Sequence, residues 1–140
     1  CAVDGKDGKK IFVKMGSYGI GVSRLVAAII EAKFNNDKMK WPKAVSPFDA
    51  VIIPAINKND NSNLEKARKI YNSLKEKDID VLLDDVDENI SNKFRKHDLL
   101  GIPYQIVVGS KSTKDQFEFK EVGEDAQSLE INQIINILKK

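Results

Sequence analysis

Cysteine, histidine and proline are scarce in this chain, whose 140 residues hold one Cys, one His and four Pro. A lone Cys1 can form no internal disulfide, and no Cys or His cluster has zinc-site spacing. That usage suits a reducing compartment, and the expected location is cytoplasmic. No stretch approaches the roughly 18 consecutive apolar residues of a membrane span. The opening Cys1-Ala2-Val3-Asp4-Gly5-Lys6 has no apolar signal core, so neither membrane attachment nor export is expected. A dominant charge is missing too: 23 Lys and Arg stand against 21 Asp and Glu, a net +2, too even to argue for nucleic acid by itself. What is present, 41% hydrophobic and 31% charged residues, is the balance of an ordinary globular domain. A chain of this length buries roughly two thirds of its unfolded surface, so its core needs no metal or disulfide. It opens without Met, which suggests a piece of something longer.

Gly5 and Gly8 read as a turn, and Ile11-Phe12-Val13-Lys14-Met15 as a strand feeding a glycine-rich corner. Val22, Leu25, Val26, Ile29 and Ile30 then recur at three-and-four spacing and predict a helix to about Phe34 with one buried face. From Asn35 to Pro47 periodicity fails, and Trp41-Pro42 and Ser46-Pro47 mark a linker. Phe48 to Pro54 is a nearly continuous apolar strand, as expected when both sheet faces are covered. A polar loop, 57–63, precedes a helix that Ser62 or Asn63 can cap, with Leu64, Ala67, Ile70, Tyr71 and Leu74 on its inner face. Ile79 to Leu83 reads as a strand, Ser91 to Leu100 as a helix stopped by Gly101, and Pro103 to Val108 as a strand. This alternation is a parallel α/β core. Gln116 to Lys120 adds an alternating edge strand, and Ile131, Ile134, Ile135 and Leu138 face inward from a closing helix.

Gly16-Ser17-Tyr18-Gly19-Ile20-Gly21 lacks the third glycine of a dinucleotide fingerprint, since Arg24 stands there, and it has no Lys-Ser or Lys-Thr pair of a phosphate loop. Two readings remain. Small residues let a flat ligand lie on the backbone beside the Arg24 guanidinium, as an adenine nucleotide would. Alternatively the glycines only allow close packing and Arg24 is solvated.

The block Met15 to Leu25, followed by Ala27-Ala28-Ile29-Ile30-Glu31, Trp41-Pro42, Ser46-Pro47-Phe48-Asp49 and Ile53-Pro54, resembles the prolyl-tRNA synthetases, a class II aminoacyl-tRNA synthetase family. Asp84-Asp85 and Asp98-Leu99-Leu100-Gly101-Ile102-Pro103 extend the resemblance over essentially the whole chain. It implies the last strand and helix of a catalytic domain with a linker, residues 1–45, joined to an anticodon-binding domain, residues 46–140. The implied fold of that domain is α/β, three-layer, a mixed five-stranded sheet with helices on both faces.

In such an enzyme proline attacks the α-phosphate of ATP to give prolyl-adenylate, and the 3′-terminal ribose of tRNA(Pro) takes the prolyl group. By the resemblance Arg24 is catalytic and contacts ATP, Gly19 and Gly21 line the nucleotide floor, and Ser17 faces the amino-acid pocket. The parent implied is a homodimer using ATP with Mg2+. The piece itself is expected to be a monomer that binds no cofactor, no DNA and no membrane, and to be inactive alone.

In the family the loop after the second strand reads Asp-Asp-Arg-x-Glu-Arg-Pro-Gly-x-Lys-Phe. Here Asp84-Asp85-Val86-Asp87-Glu88-Asn89-Ile90-Ser91-Asn92-Lys93-Phe94 keeps Glu88, Lys93 and Phe94 but neither arginine nor the Pro-Gly turn. The later Glu-x-Lys-x-Arg survives as Glu118-Phe119-Lys120, with Val122 in the last place. Arg reads guanine O6 and N7 with a two-pronged bond worth about 1–3 kcal/mol of discrimination, which Asn cannot reproduce at unit charge. Glu88, Lys93, Phe94 and Lys120 are thus the anticodon-binding candidates, Glu88 accepting from an unpaired guanine's N1 and N2 edge. Without the family, Glu88 reads as one exposed acid in an acidic loop.

Asp84, Asp85, Asp87 and Glu88 lack calcium-hand spacing and read as a solvated strand end, with no metal. His97 reads as a surface or helix-end side chain, Trp41 as a linker aromatic buried between domains, and Tyr71 as core. A histidyl, threonyl or glycyl synthetase shares the domain type but not the Gly-Ser-Tyr-Gly-Ile-Gly block. A non-catalytic nucleic-acid-binding module is the other reading, favoured by the altered loop and opposed by the retained Gly19, Gly21 and Arg24.

Overall fold

The computed structural model describes residues 1–35, 38–56, 61–110, 112 and 115–139. The chain starts with an antiparallel hairpin of β1 (Ala2–Asp4) and β2 (Lys10–Phe12). Its corner is the expected glycine turn, where Gly5 N–H donates to Lys9 O at 2.8 Å and Gly8 takes a φ of 76°. The strand ends at Phe12, with one more cross-hairpin bond from Val13 N–H to Cys1 O at 3.1 Å, short of the strand expected to reach Met15. Helix α1 (Val22–Lys33) lies where the spacing placed it, but none of its residues is buried, and Val22, Leu25, Val26 and Ile30 are exposed. The stripe read as a buried face is left mostly open, with Ile29 partly buried and Ile30 at the edge of a cavity it shares with Trp41 and Leu99.

The stretch read as a linker holds local structure among its described residues. Strands β3 (Phe34–Asn35) and β4 (Lys38–Met39) pair antiparallel, and Lys43–Val45 forms a 3-10 turn. Met39 is buried, Trp41 N–H donates to Gly101 O at 2.9 Å, and the indole Nε1 donates to Leu100 O, also at 2.9 Å. Trp41 is only half-buried. Local periodicity carries no sign of this docking because its partners lie about sixty residues away in the chain.

The remaining strands, β5 (Ala50–Pro54), β6 (Val81–Leu83), β7 (Tyr104–Val108), β8 (Gln116–Glu121) and β9 (Gln127–Glu130), form one sheet in the order β6-β5-β7-β8-β9. The first three are parallel, and β8 and β9 are antiparallel additions. Strand β9 escapes the residue pattern because its only apolar side chain is Leu129. Helices α2 (Ser62–Lys75), α3 (Ile90–Leu100) and α4 (Ile131–Leu138) complete the layers. Residues 57–60 of the expected polar loop lie outside the described residues.

Strand β5 shows why its sequence is continuously apolar. Ala50 and Ile52 enter a core with Ala67, Ile70 and Leu74 of α2 and Ile134, Ile135 and Leu138 of α4. Val51 and Ile53 point the other way, into a core with Ile102 and with Ile90 and Phe94 of α3. Tyr71 packs against the first core, partly buried. Helix α2 starts with Asn61 at the N-cap and no side-chain capping bond, while Asn63 Nδ2 donates to Ala55 O at 2.9 Å. Helix α4 carries a capping box in which Gln133 Oε1 accepts from Glu130 N at 3.0 Å.

Gly101 ends α3 with a φ of 72°, and an added Cβ would stand 3.0 Å from Met39 O. We expect Gly101→Ala to cost about 1–3 kcal/mol, from left-handed strain and loss of the Met39 and Trp41 docking. A urea titration followed by Trp41 fluorescence checks this.

Candidate functional site

The connection from β5 to β6 passes over one sheet face through α2, and that from β6 to β7 passes over the other through α3. Loops leaving adjacent parallel strands toward opposite faces open a crevice at the strands' carboxyl ends, the usual ligand position in open α/β sheets. Here a side chain fills it. Lys93 of α3 is 0% exposed, and its Nζ donates to Asp84 O, just past β6, at 2.9 Å and to Pro54 O, at the end of β5, at 3.4 Å. Burial lowers the Lys93 pKa from its ordinary value, while the charge of Asp84 pulls it back up.

Asp84 is the centre of the group. Its Oδ2 lies 2.7 Å from His97 Nε2 and 2.8 Å from Lys96 Nζ, and its Oδ1 lies 3.8 Å from Lys93 Nζ. Lys93, Lys96 and His97 stand at i, i+3 and i+4 along α3, the spacing that puts side chains on one helix face. Burial alone would raise the Asp84 carboxyl, but the hydrogen bonds from Lys96 and His97 and the charge of Lys93 hold it below its ordinary value. Lys96 is raised, first by its hydrogen bond to Asp84. His97 is 1% exposed and lowered by burial against the pull of Asp84. It is therefore neutral near pH 7. An ionised carboxylate only accepts, so the proton sits on Nε2, and Nδ1 meets no hydrogen-bond partner among the described residues.

These positions correct three readings, the first being Lys93, expected to contact the anticodon but fully buried and committed to two carbonyls. His97 is a core group rather than a surface one, and Asp84 is buried, unlike the exposed Asp85 and Asp87 beside it. The pattern held a signal: Ile90, Lys93, Phe94 and His97 occupy i, i+3, i+4 and i+7, the inner stripe of an amphipathic helix.

The loop from Asp84 to α3 is folded on these anchors. Val86 N–H donates to Asp84 Oδ1 at 3.4 Å, and Glu88 N–H donates to Val86 O at 3.0 Å. Asn89 Oδ1 accepts from Ser91 N at 2.9 Å and caps α3. Glu88 is half-buried, with Oε2 3.7 Å from Lys96 Nζ.

Of the other candidates, Phe94 and Lys120 meet in one place. They line a cavity of about 370 Å³ together with Val107, Glu118 and Asp125. Phe117 and Phe119 point into the opposite core, so alternation along β8 puts Glu118 and Lys120 on the α3 side. Ser17, Gly19, Gly21 and Arg24 lie apart from this group, all exposed, along the stretch that leads into α1 and its first turn. Nothing stands within 4 Å of a Cβ added at Gly19. A flat ligand can approach the backbone there, beside an exposed guanidinium.

Comparison with known proteins gives concordant matches. The anticodon binding domain family model matches residues 49–140. The chain is 55% identical over 139 residues to a proline–tRNA ligase of Pelagibacter ubique, covering 98% of this chain and 31% of that protein. It is 46% identical over 117 residues to one from Thermodesulfovibrio yellowstonii, covering 79% and 20%. The chain thus spans a third or less of these relatives' length. A solved structure of Giardia lamblia prolyl-tRNA synthetase in complex with prolyl-adenylate superposes with a TM-score of 0.68 at 24% identity, covering 81% of this chain and 25% of that one. That likeness is one of fold, and it agrees with the mixed five-stranded sheet.

Two predictions follow from the buried charges. An unfolded chain protonates His97 near its ordinary 6.5 while the folded chain resists. Stability is then complete above that pH and falls below it, by up to about 1.4 kcal/mol per pH unit. Urea midpoints at pH 7, 6 and 5 should show this slope in the wild type and lose it in His97→Gln. The Asp84 contribution is present above its ordinary 3.8 and goes only as pH falls further. Lys93→Ala should cost about 3–5 kcal/mol at pH 7, measured the same way, because it takes a cation from beside a buried carboxylate and a donor from two carbonyls.

Proposed function

The chain belongs to the anticodon binding domain family, and on that basis we propose that it is the carboxy-terminal part of a proline–tRNA ligase whose residues 46–140 bind the anticodon stem-loop of tRNA(Pro). The carrying observation is that Phe94 and Lys120 line one cavity, while Glu88 sits in the loop before α3 with Oε2 3.7 Å from Lys96 Nζ of that helix. Unpaired bases are read by stacking and at their Watson–Crick edges. Phe94 supplies a face, Lys120 a cation for phosphate or base, and Glu88 an acceptor for a guanine N1–H and N2–H. Lys93 serves from beneath, by fixing the loop that carries Glu88.

Residues 1–45 are, in this reading, the end of the catalytic domain. The mostly open apolar stripe of α1 supports it, since such a stripe ordinarily lies against a core. Arg24, Gly19 and Gly21 would hold ATP and Ser17 would face proline, with the chemistry completed by the larger part of the enzyme in a cytoplasmic homodimer. Formation of prolyl-adenylate requires positioning and neutralising phosphate charge, and Arg24 is the cation this chain offers. No helix among the described residues is long and apolar enough to cross a membrane.

The test is affinity for a proline-tRNA anticodon stem-loop beside one with its two guanines replaced, each at two salt concentrations. Tighter binding of the cognate loop at both salts is expected, because base contacts survive where counterion release weakens phosphate contacts. Equal affinities that fall steeply together would mean phosphate contact only and would defeat the base-reading proposal.

A further inference from the structure

The loop that carries Glu88 is acidic, with Asp85 and Asp87 exposed on either side of Val86. A glutamate in such company has no electrostatic reason to hold one position, and RNA phosphates would be repelled from it. One exposed cation reaches across. Lys96 is 38% exposed, with Nζ 2.8 Å from Asp84 Oδ2 and 3.7 Å from Glu88 Oε2. Its anchor is firm, since Asp84 is also bound by His97 and lies against the Lys93 ammonium. Within the group Asp84 and Glu88 balance Lys93 and Lys96, with His97 neutral, and Asp98 faces away to Gln105 Nε2 at 2.9 Å.

We propose that Lys96 is a positioning residue for base recognition: bridging Asp84 and Glu88, it holds the Glu88 carboxylate where an unpaired guanine edge can reach it. The role rests on the anticodon reading of Glu88. Asn89, in the place of an arginine in the resembling family's loop, is committed to capping α3. The Asp84–Lys96–Glu88 bridge therefore fixes recognition geometry in this loop without a guanidinium.

The experiment uses the full chain as wild type, Glu88→Gln, Lys96→Met, Lys96→Arg and the double variant Glu88→Gln with Lys96→Met. Each is titrated with the cognate and guanine-replaced stem-loops at two salt concentrations, after thermal unfolding shows a native transition. Glu88→Gln and Lys96→Met should each lower the cognate preference by about tenfold. The double variant should be no worse than either single one, because both act on one contact. Lys96→Arg should restore the preference, and the salt slope should not move.

A Lys96→Met chain that keeps full preference while Glu88→Gln loses it overturns the positioning role alone. One that weakens both loops equally, with a salt slope smaller by about one, makes Lys96 a phosphate contact and also overturns it. A wild type without preference, or a Glu88→Gln chain that keeps it, overturns the guanine reading and the proposal with it. Side-chain couplings of Glu88 supply a readout without RNA: one dominant rotamer in the wild type and averaging in Lys96→Met are expected. Averaging already present in the wild type overturns the bridge.

Discussion

A buried ammonium holds the functional end of this fold together. Lys93 lies where the connections of β5 and β6 part to opposite faces, and it binds a carbonyl from the end of each strand. Burying a lone charge there would cost several kcal/mol, and a buried ion pair returns that cost only with good geometry and satisfied donors. Two carbonyls and a neighbouring carboxylate meet the condition. In other open α/β sheets the same crevice receives a ligand. Here it receives the Lys93 side chain, and the surface proposed for recognition lies outward of it, on the loop and the β8 strand face.

That displacement explains how the loop keeps its shape without the Pro-Gly turn of the resembling family. Proline at the first helical position fixes φ and surrenders an N–H that has no partner anyway. Ile90 stands there instead and is packed into the core below, while Asn89 supplies the cap. Helix initiation is thus held by an amide side chain and an apolar anchor. Val122, in the place of the family's later arginine, is likewise buried, and its N–H donates to Pro103 O at 2.9 Å. Positions that offer guanidinium groups in the family offer structural bonds in this chain.

The strands and helices were legible because burial leaves periodic traces. Strand β5 reads as apolar throughout since it feeds two cores, and β8 alternates since only Phe117 and Phe119 face one. Lys93 and His97 broke the reading for the opposite reason. They occupy inner-stripe positions with polar side chains, and composition alone favours solvent for such residues. Their burial is matched by Asp84, nine and thirteen residues earlier and outside the helix, so the helix's own periodicity marks the inner stripe but not the partner that makes it tolerable. The four acids of the loop look alike in sequence, yet only Asp84 has three side chains, those of Lys93, Lys96 and His97, folded onto its carboxylate. The docking of Trp41 and Met39 was hidden in the same way, behind partners at the far end of α3.

Helix α3 joins these findings mechanically. Its last turn carries the carbonyls that receive Trp41, and Gly101 lies against Met39. Its inner face holds Asp84 through Lys93, Lys96 and His97, and its first turn is capped by the residue next to Glu88. One element of eleven residues, about 16 Å long at helical rise, therefore sets both the seat of the segment leading from α1 and the position of the loop. Helix α1 buries none of its own residues, and a helix of its length is marginal in isolation. Downstream of it, Met39 and Trp41 dock on the carboxyl end of α3. The Met39 and Trp41 docking and the loop that carries Glu88 thus share one support, α3, whose inner face includes a lysine with no exposure to solvent.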